Sequence, residues 1–215
     1  MLSIKDISIG YEGKPLASGI SFSLREGECV LLCGPNGSGK TTLLRKIASL
    51  SDEAVMVPTR IPKVKGFTVR EFLETSAYAL TDALGRMSQR GQERLDAALE
   101  ELGITHLAQR DISTLSDGEF QKACIATALA RDASVLLLDE PTAFLDVEAR
   151  MAVLETLRRI SATRAVLFSS HDIRDAAPLC TRVLGLDGKG GFADSAKGED
   201  VPKRVFVNYG QTVYN

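Results

Sequence analysis

Short apolar runs typical of strands alternate along the chain with wider periodic patterns typical of helices. Residues 4–9 and 20–24 alternate apolar and polar side chains, which predicts half-buried antiparallel strands. Residues 29–33 are continuously apolar and end at a glycine, so they predict a strand buried on both faces. Residues 41–50 then place their apolar side chains on one helical face.

A helical insertion is predicted to follow these first elements. Residues 51–66 contain two prolines, which exclude a long helix and predict a compact irregular stretch. Thr68 and Glu71 form the capping-box pattern of a helix start, and residues 89–102 predict a second helix.

Strands are predicted again further along the chain. The expected strands are residues 135–138, 165–168, 182–186 and, at an edge, 205–207. Residues 147–160 predict an amphipathic helix, and the polar, glycine-rich residues 188–200 predict a loop.

This order of elements predicts an α/β fold with a mostly parallel sheet, a small antiparallel β part and an α-helical insertion. We expect a single domain over residues 1–215. Residues 1–66 and 111–215 would form the α/β core, and residues 67–110 the helical subdomain.

Composition narrows the classes of partner. The net charge of −2 provides no general positive field for polyanions, so no nucleic-acid partner is expected. The longest apolar runs are about six residues, against the roughly 20 that span a bilayer. No signal-peptide pattern is expected at the N-terminus. The four cysteines lie in or beside apolar runs without metal-ligand spacing, which indicates a reducing compartment.

Residues 34–41 match the phosphate-binding pattern G-x-x-x-x-G-K-[ST], between a predicted strand and a predicted helix. Glycines let backbone N–H groups turn around a phosphate, and the helix start adds the positive end of its dipole. Lys40 would bridge the β- and γ-phosphates, and the Thr41 hydroxyl would ligate Mg²⁺. The predicted nucleotide-binding residues here are Gly34, Pro35, Asn36, Gly37, Ser38, Gly39, Lys40, Thr41 and Thr42.

Two carboxylates, Asp139 and Glu140, follow the predicted strand 135–138. A parallel strand would deliver both at the sheet edge where α/β proteins bind ligands. Asp139 is predicted to hold Mg²⁺, through a water, and Glu140 to orient and deprotonate the attacking water. Taken alone, the two acids could equally form an exposed turn, but the upstream phosphate loop favours the catalytic interpretation.

Ser116 and Glu119 form another capping box, which by itself predicts only a well-capped helix. The segment Leu-Ser-Asp-Gly-Glu also resembles the Leu-Ser-Gly-Gly-Gln signature of ATP-binding-cassette (ABC) ATPases and likewise stands just upstream of the acidic strand. The resemblance spans residues 4–187. The residues at signature positions are Ser116, Asp117, Gly118 and Glu119.

Three further residues take their expected roles from this resemblance. Tyr11 matches the aromatic residue that stacks on adenine, and His171 matches the switch histidine that acts with Glu140 in catalysis. Asp146 lies in a segment that matches the D-loop. Considered singly, Tyr11 and His171 would more often be ordinary surface or core residues.

The resemblance implies the ABC ATPase fold, ATP hydrolysis, and ATP and Mg²⁺ as cofactors. It implies a head-to-tail pair in which Ser116 of one subunit faces ATP held by the other. The expected partners are a second ATPase subunit, taken to be an identical chain, and a polytopic membrane permease. The protein would then be cytoplasmic, peripheral to the inner face of the cell membrane.

Two departures from the family pattern stand out. Asp117 and Glu119 replace a glycine and a glutamine, and we expect both carboxylates to point away from ATP, which they would otherwise repel. The family's glutamine that touches Mg²⁺ and senses the membrane partner corresponds to Thr59. We expect this hydroxyl to have little reach, which affects coupling to a partner more than hydrolysis.

Three functions remain compatible with the sequence. A transporter motor is favoured, because residues 67–172 most resemble importers of iron chelates, haem or cobalamin, with exporter motors as the near alternative. The second function is a soluble ABC protein of assembly, translation or repair. The third is an ATP-gated binding module with weak hydrolysis, which Thr59 supports and Glu140 and His171 oppose.

Overall fold

The computed structural model describes residues 1–11, 14–76, 87–197, 200–201 and 205. Its strands are β1 (Leu2–Tyr11), β2 (Lys14–Leu24), β3 (Cys29–Cys33), β4 (Ala54–Val57), β5 (Val135–Leu138), β6 (Ala165–Ser169), β7 (Arg182–Leu186) and β8 (Phe192–Asp194). Its α-helices are α1 (Lys40–Ala48), α2 (Val69–Ser76), α3 (Gln89–Glu101), α4 (Asp117–Ala130), α5 (Val147–Ile160) and α6 (Ile173–Ala176).

The described strands form two sheets. A six-stranded sheet has the order β4-β5-β6-β3-β7-β8, in which β8 is antiparallel to β7 and the other neighbours are parallel. A second sheet consists of the antiparallel pair β1 and β2. The mostly parallel core and the small antiparallel N-terminal part are therefore confirmed.

The large sheet separates two apolar cores because neighbouring residues of each strand face opposite sides. Leu31 of β3 packs on the side of α3, α4 and α5. Val30 and Leu32 pack on the side of α1, β1 and β2. Burial on both faces accounts for the continuously apolar sequence of the central strands.

Two predictions of irregular structure are wrong. Residues 54–57 form the edge strand β4, parallel to β5, within the stretch expected to be irregular. Residues 192–194 form β8 within the predicted loop. Val205 was expected to begin an edge strand, but it is helical and buried, while residues 206 and 207 lie outside the described part.

Helices α2 and α3 both begin at residues whose side chains cap the first turn, and the cap of α2 is the predicted one. Thr68 and Glu71 exchange the two hydrogen bonds of a capping box at the start of α2. The Ser88 side chain accepts a hydrogen bond from the Gly91 N–H group at the start of α3. Part of the predicted subdomain, residues 77–86, lies outside the described residues. Within the described ranges, no helix is long and apolar enough to cross a membrane.

Candidate functional site

The phosphate loop leads from the end of β3 into α1 through Gly39. Gly39 has a φ of 100° and is the N-cap of α1, where it offers no side-chain cap to the first turn. The first N–H groups of the helix are thus open to an anion at the positive end of the helix dipole. Glycine is required here, since a Cβ at Gly39 would lie 2.9 Å from the Ile9 side chain at a φ that disfavours other residues.

Ser38 gives an independent sign that the loop binds a polar ligand. Its side chain is buried, and its Oγ is one of two buried side-chain polar atoms that have no hydrogen-bond partner within the described part of the chain. A buried hydroxyl without a partner is destabilising, so it needs an explanation, and a bound polar ligand would supply the missing hydrogen bond.

Lys40 lies inside the phosphate loop with its side chain buried. Its ammonium donates to the Gly34 carbonyl at 2.9 Å and to the Pro35 carbonyl at 3.3 Å. Burial lowers the pKa of Lys40, and the negative charges of Glu140 and Asp139 oppose that shift. The ammonium is therefore held among acceptors at the centre of the loop.

A cavity of about 300 Å³ opens in front of this loop. Its lining residues are Tyr11, Leu16, Asn36, Gly37, Gly39, Lys40, Thr41, Thr42 and Glu140. Tyr11 lies at its rim with 72% of its surface exposed, so its ring is free to stack on a planar ligand. The cavity thus combines most of the predicted loop residues with one predicted aromatic residue and one predicted carboxylate.

Asp139 is buried behind Thr41 at the end of β5 and accepts three hydroxyl hydrogen bonds. Thr41 and Thr59 both donate to its Oδ2 at 2.8 Å, and Ser169 donates to its Oδ1 at 2.9 Å. Strand β4 runs alongside β5 and brings the short Thr59 side chain to this carboxylate, whereas its expected effect on coupling to a partner stays a prediction.

Glu140 and His171 meet beside Asp139. His171 Nε2 lies 2.6 Å from Glu140 Oε1, and the Glu140 N–H group donates to Ser169 Oγ at 2.9 Å. Glu140 has a φ of 49°, a left-handed conformation that costs a residue with a Cβ roughly 1–2 kcal/mol. Such conformations persist where the surrounding contacts hold them, and they cluster at functional sites.

The residues at this site fit a magnesium–nucleotide complex. The Thr41 hydroxyl and the Asp139 carboxylate lie in direct contact, and the orphaned Ser38 hydroxyl and the open start of α1 lie in the same loop. Mg²⁺ is usually held by one or two protein side chains, with phosphates and waters completing its shell. Within the described residues, no group of three or more His, Cys, Asp or Glu is placed to hold a metal ion.

Ser116 caps α4 on another surface of the molecule. Its side chain accepts from the Glu119 N–H group at 3.2 Å, and the Glu119 carboxylate accepts from the Ser116 N–H group at 2.8 Å. The second bond lowers the pKa of Glu119. Asp117 forms an ion pair with Lys63 at 2.7 Å. Both carboxylates that depart from the family signature are therefore engaged within the chain.

Asp146 is the N-cap of α5, and its carboxylate accepts from the Ala149 N–H group at 2.8 Å. Phe144, two residues earlier, has a φ of 67° and is 71% exposed. One turn into α5, Arg150 forms ion pairs with Asp172 and Asp175. The first turn of α5 is thus joined to the residues that follow His171.

The signature residues do not share a cavity with the phosphate loop. Ser116, Asp117, Gly118, Glu119 and Asp146 line a separate groove of about 760 Å³ between α4 and α5. No lining residue of this groove lines the phosphate-loop cavity.

Sequence reasoning missed two residues of the site. Ser169 joins Asp139 to the backbone of Glu140, and its signal was a polar residue at the end of an apolar strand. Lys63 pairs with Asp117 across 54 positions of sequence, and no local pattern indicates that contact.

Comparisons with known proteins agree on one family. A protein-family model described as ABC transporter matches residues 17–143. The iron(3+)-hydroxamate import ATP-binding protein of Bacillus subtilis (strain 168) is 28% identical over 234 residues, covering 95% of this chain and 87% of the relative. The aliphatic sulfonates import ATP-binding protein SsuB 1 of Pseudomonas fluorescens is 38% identical over 181 residues, covering 82% of this chain and 69% of the relative.

Solved structures show the same fold. A nucleotide-free ATP-binding cassette from an ABC transporter superposes with a TM-score of 0.78 at 19% identity, covering 96% of this chain and 95% of that one. A dimeric bacterial ABC transporter cassette superposes with a TM-score of 0.69 at 23% identity, covering 86% of this chain and 94% of that one.

Proposed function

The chain belongs to the ABC transporter ATP-binding family, and on that premise we propose that it is a Mg²⁺-dependent ATPase that works as a head-to-tail dimer. ATP binding and a place in an ABC transporter follow from the family itself. The convergence of Thr41, Asp139, Glu140 and His171 at one end of the parallel strands carries the proposal of hydrolysis.

The geometry supports distinct roles for these groups. We assign ATP to the cavity in front of the phosphate loop, with adenine on Tyr11 and the phosphates at Lys40 and the start of α1. Thr41 and Asp139 would hold Mg²⁺, which neutralises charge on the β- and γ-phosphates when bound.

Glu140 is assigned as the residue that orients the attacking water and accepts its proton. His171, in contact with that carboxylate, holds it in position. The water oxygen forms a bond to the γ-phosphorus as the bond to the bridging oxygen breaks, which gives ADP and inorganic phosphate.

The dimer completes each site with a second chain. Ser116 and Gly118 lie at the start of α4, where a hydroxyl and backbone N–H groups are suited to a phosphate anion. Since their groove is separate from the phosphate-loop cavity, we assign them to ATP held by a partner subunit, expected to be an identical chain. We also propose residues 67–110 as the helical subdomain and the remainder as the nucleotide-binding core.

The proposed setting is an importer. Relatives named as import ATP-binding proteins support a polytopic permease as the second partner and a position at the inner face of the cell membrane. We propose a metal-chelate cargo, supported by relatives named for iron(3+)-hydroxamate, achromobactin and cobalamin. The sulfonate relative supports another cargo of the same transport function.

The substitution Glu140→Gln tests hydrolysis and pairing together. It keeps the shape of the side chain but removes the proton acceptor, so we expect phosphate release to fall roughly 100-fold or more. ATP should then accumulate bound, and sedimentation should show an ATP-dependent dimer that the wild type forms only transiently. Wild-type turnover no faster than that of the variant would favour an ATP-gated binding module instead.

A further inference from the structure

Residues 58–63, here called the bridging segment, connect β4 to the parts of the chain that the proposed function assigns to ATP. Thr59 donates to Asp139 at 2.8 Å. The Arg60 guanidinium lies 4.6 Å from the centre of the exposed Phe144 ring, within the range of a cation–π contact. The last residue of the segment, Lys63, reaches the start of α4.

Lys63 makes three contacts around the start of α4, one just before its N-cap and two within the helix. Its ammonium donates to the Leu115 carbonyl at 2.9 Å and to Asp117 Oδ1 at 2.7 Å. It also lies 5.3 Å from the centre of the Phe120 ring. Three contacts of different kinds fix the position of the ammonium, although 26% of the Lys63 side chain remains exposed.

Asp117 gives this contact its significance. It is the first residue of α4, and 67% of its side chain is exposed. It adjoins Ser116 and Gly118, which we assign to the γ-phosphate on the partner subunit. A carboxylate at that position repels a triphosphate unless a cation neutralises it.

We propose that Lys63 is a positioning residue for the ATP-dependent dimer, neutralising Asp117 and holding the first turn of α4 ready for the partner's γ-phosphate. The inference rests on the proposed function. Because an ion pair this exposed contributes little to folding stability, we place its effect in assembly of the dimer.

The test uses the full-length chain with Glu140→Gln, so that ATP-bound dimers persist. Lys63→Met removes the charge but keeps the apolar length of the side chain. Lys65→Met, at an exposed lysine two positions further on, removes the same net charge as a control. Sedimentation velocity over a range of ATP concentrations gives the ATP concentration at which half of the chains are dimeric.

At low salt we expect Lys63→Met to raise that concentration about tenfold, and Lys65→Met to change it by less than about twofold. Added salt should shrink the defect, because screening weakens repulsion between exposed charges. Adding Asp117→Gly to Lys63→Met should restore dimerisation, since no carboxylate then remains to be neutralised. A role limited to local structure predicts neither the salt response nor the rescue.

The outcomes separate this inference from the proposed function. If Glu140→Gln alone gives no ATP-dependent dimer, the proposed function fails. If that dimer forms and Lys63→Met matches Lys65→Met, Lys63 has no positioning role. A defect that persists at high salt and resists Asp117→Gly would also overturn the inference.

Discussion

The Asp139 carboxylate shows how single hydroxyl groups shape this site. Three of them, from Thr41, Thr59 and Ser169, donate to its two oxygens from three separate parts of the chain. These hydrogen bonds fix the orientation of the carboxylate that the proposed function assigns to the magnesium ion. Thr59 therefore lies beside the proposed magnesium site, at the position that the sequence matches to the family's glutamine, although its side chain is shorter.

The buried thiol of Cys124 provides a prediction about alkaline stability. Burial raises its pKa from 9.0 to about 12. A group whose pKa is raised by folding stabilises the fold fully at pH values below its pKa in the unfolded chain. This stabilisation is lost progressively as the pH rises towards its pKa in the folded chain. Between about pH 8 and about pH 10 this thiol should therefore lower the free energy of unfolding by ~1.4 kcal/mol.

Urea denaturation at the two pH values, for wild type and Cys124→Val, measures that contribution. Other groups that titrate in this range are common to both proteins. The difference between the free energy of unfolding that the wild type loses and the one that the variant loses therefore isolates Cys124. The variant should lose less stability than the wild type. Equal losses would show that the Cys124 pKa is not raised in the folded chain.

At the scale of elements, sequence reasoning succeeded where a local pattern determines the structure. Strands β3, β5 and β7 and helix α5 have the predicted bounds, because their apolar periods and caps lie within a few residues of one another. The phosphate loop was predicted for the same reason. Its glycines, the lysine and both flanking elements are contiguous in sequence.

The elements that were missed are defined by distant partners. Only four residues long, β4 lies directly before Pro58, and its pairing with β5 joins positions about 80 residues apart. The strand β8 is three residues long and ends at Asp194, whose partner Arg182 lies on β7. Short segments of this kind become strands through tertiary contacts, which a local pattern does not encode.

Arg182 adds side-chain contacts between β7 and β8 to the backbone pairing of these two strands. Its guanidinium makes two bonds to Asp194 and one to Glu28, with 9% of the side chain exposed. The change Arg182→Met leaves both carboxylates without their cation, so we expect it to destabilise the fold by ~3–5 kcal/mol. Arg164→Met, which removes a more exposed pair with Glu101, should cost about 1 kcal/mol or less.

Chemical denaturation of the two variants measures the contrast. Equal losses of stability would indicate that Arg182 adds no more than a surface ion pair. A loss for Arg182→Met accompanied by a reduced denaturant slope would instead point to partial unfolding around β8.

At the scale of the whole molecule, the two proposed half-sites of the ATP site lie in separate cavities of the chain. One contains Lys40 and Glu140, and the other contains Ser116. Under a two-fold axis, each half-site of one chain would meet the complementary half-site of the other. In the sequence analysis, the resemblance to ABC ATPases implies this division. The bridging segment, which links the two half-sites within one chain, became visible only in the structure.

Complementation between two inactive variants tests this division of labour. Lys40→Ala damages the phosphate loop, and Ser116→Arg blocks the start of α4, so neither variant alone should hydrolyse ATP. A dimer of the two has one intact site, built from Lys40 of one chain and Ser116 of the other. When equal amounts of the two variants pair at random, half of the dimers are mixed, and each mixed dimer has one of its two sites intact. We therefore expect about a quarter of wild-type phosphate release.

The matched control pairs Lys40→Ala with Glu140→Gln. Both changes damage the same half-site, so every dimer of these chains has two defective sites and no activity should return. Co-expression with different affinity tags allows the mixed dimers to be isolated and their phosphate release measured. Only a site shared between chains makes the recovered activity depend on which half-site each chain has lost. If activity returned in both mixtures, or in neither although each variant is folded, ATP would not be shared between chains.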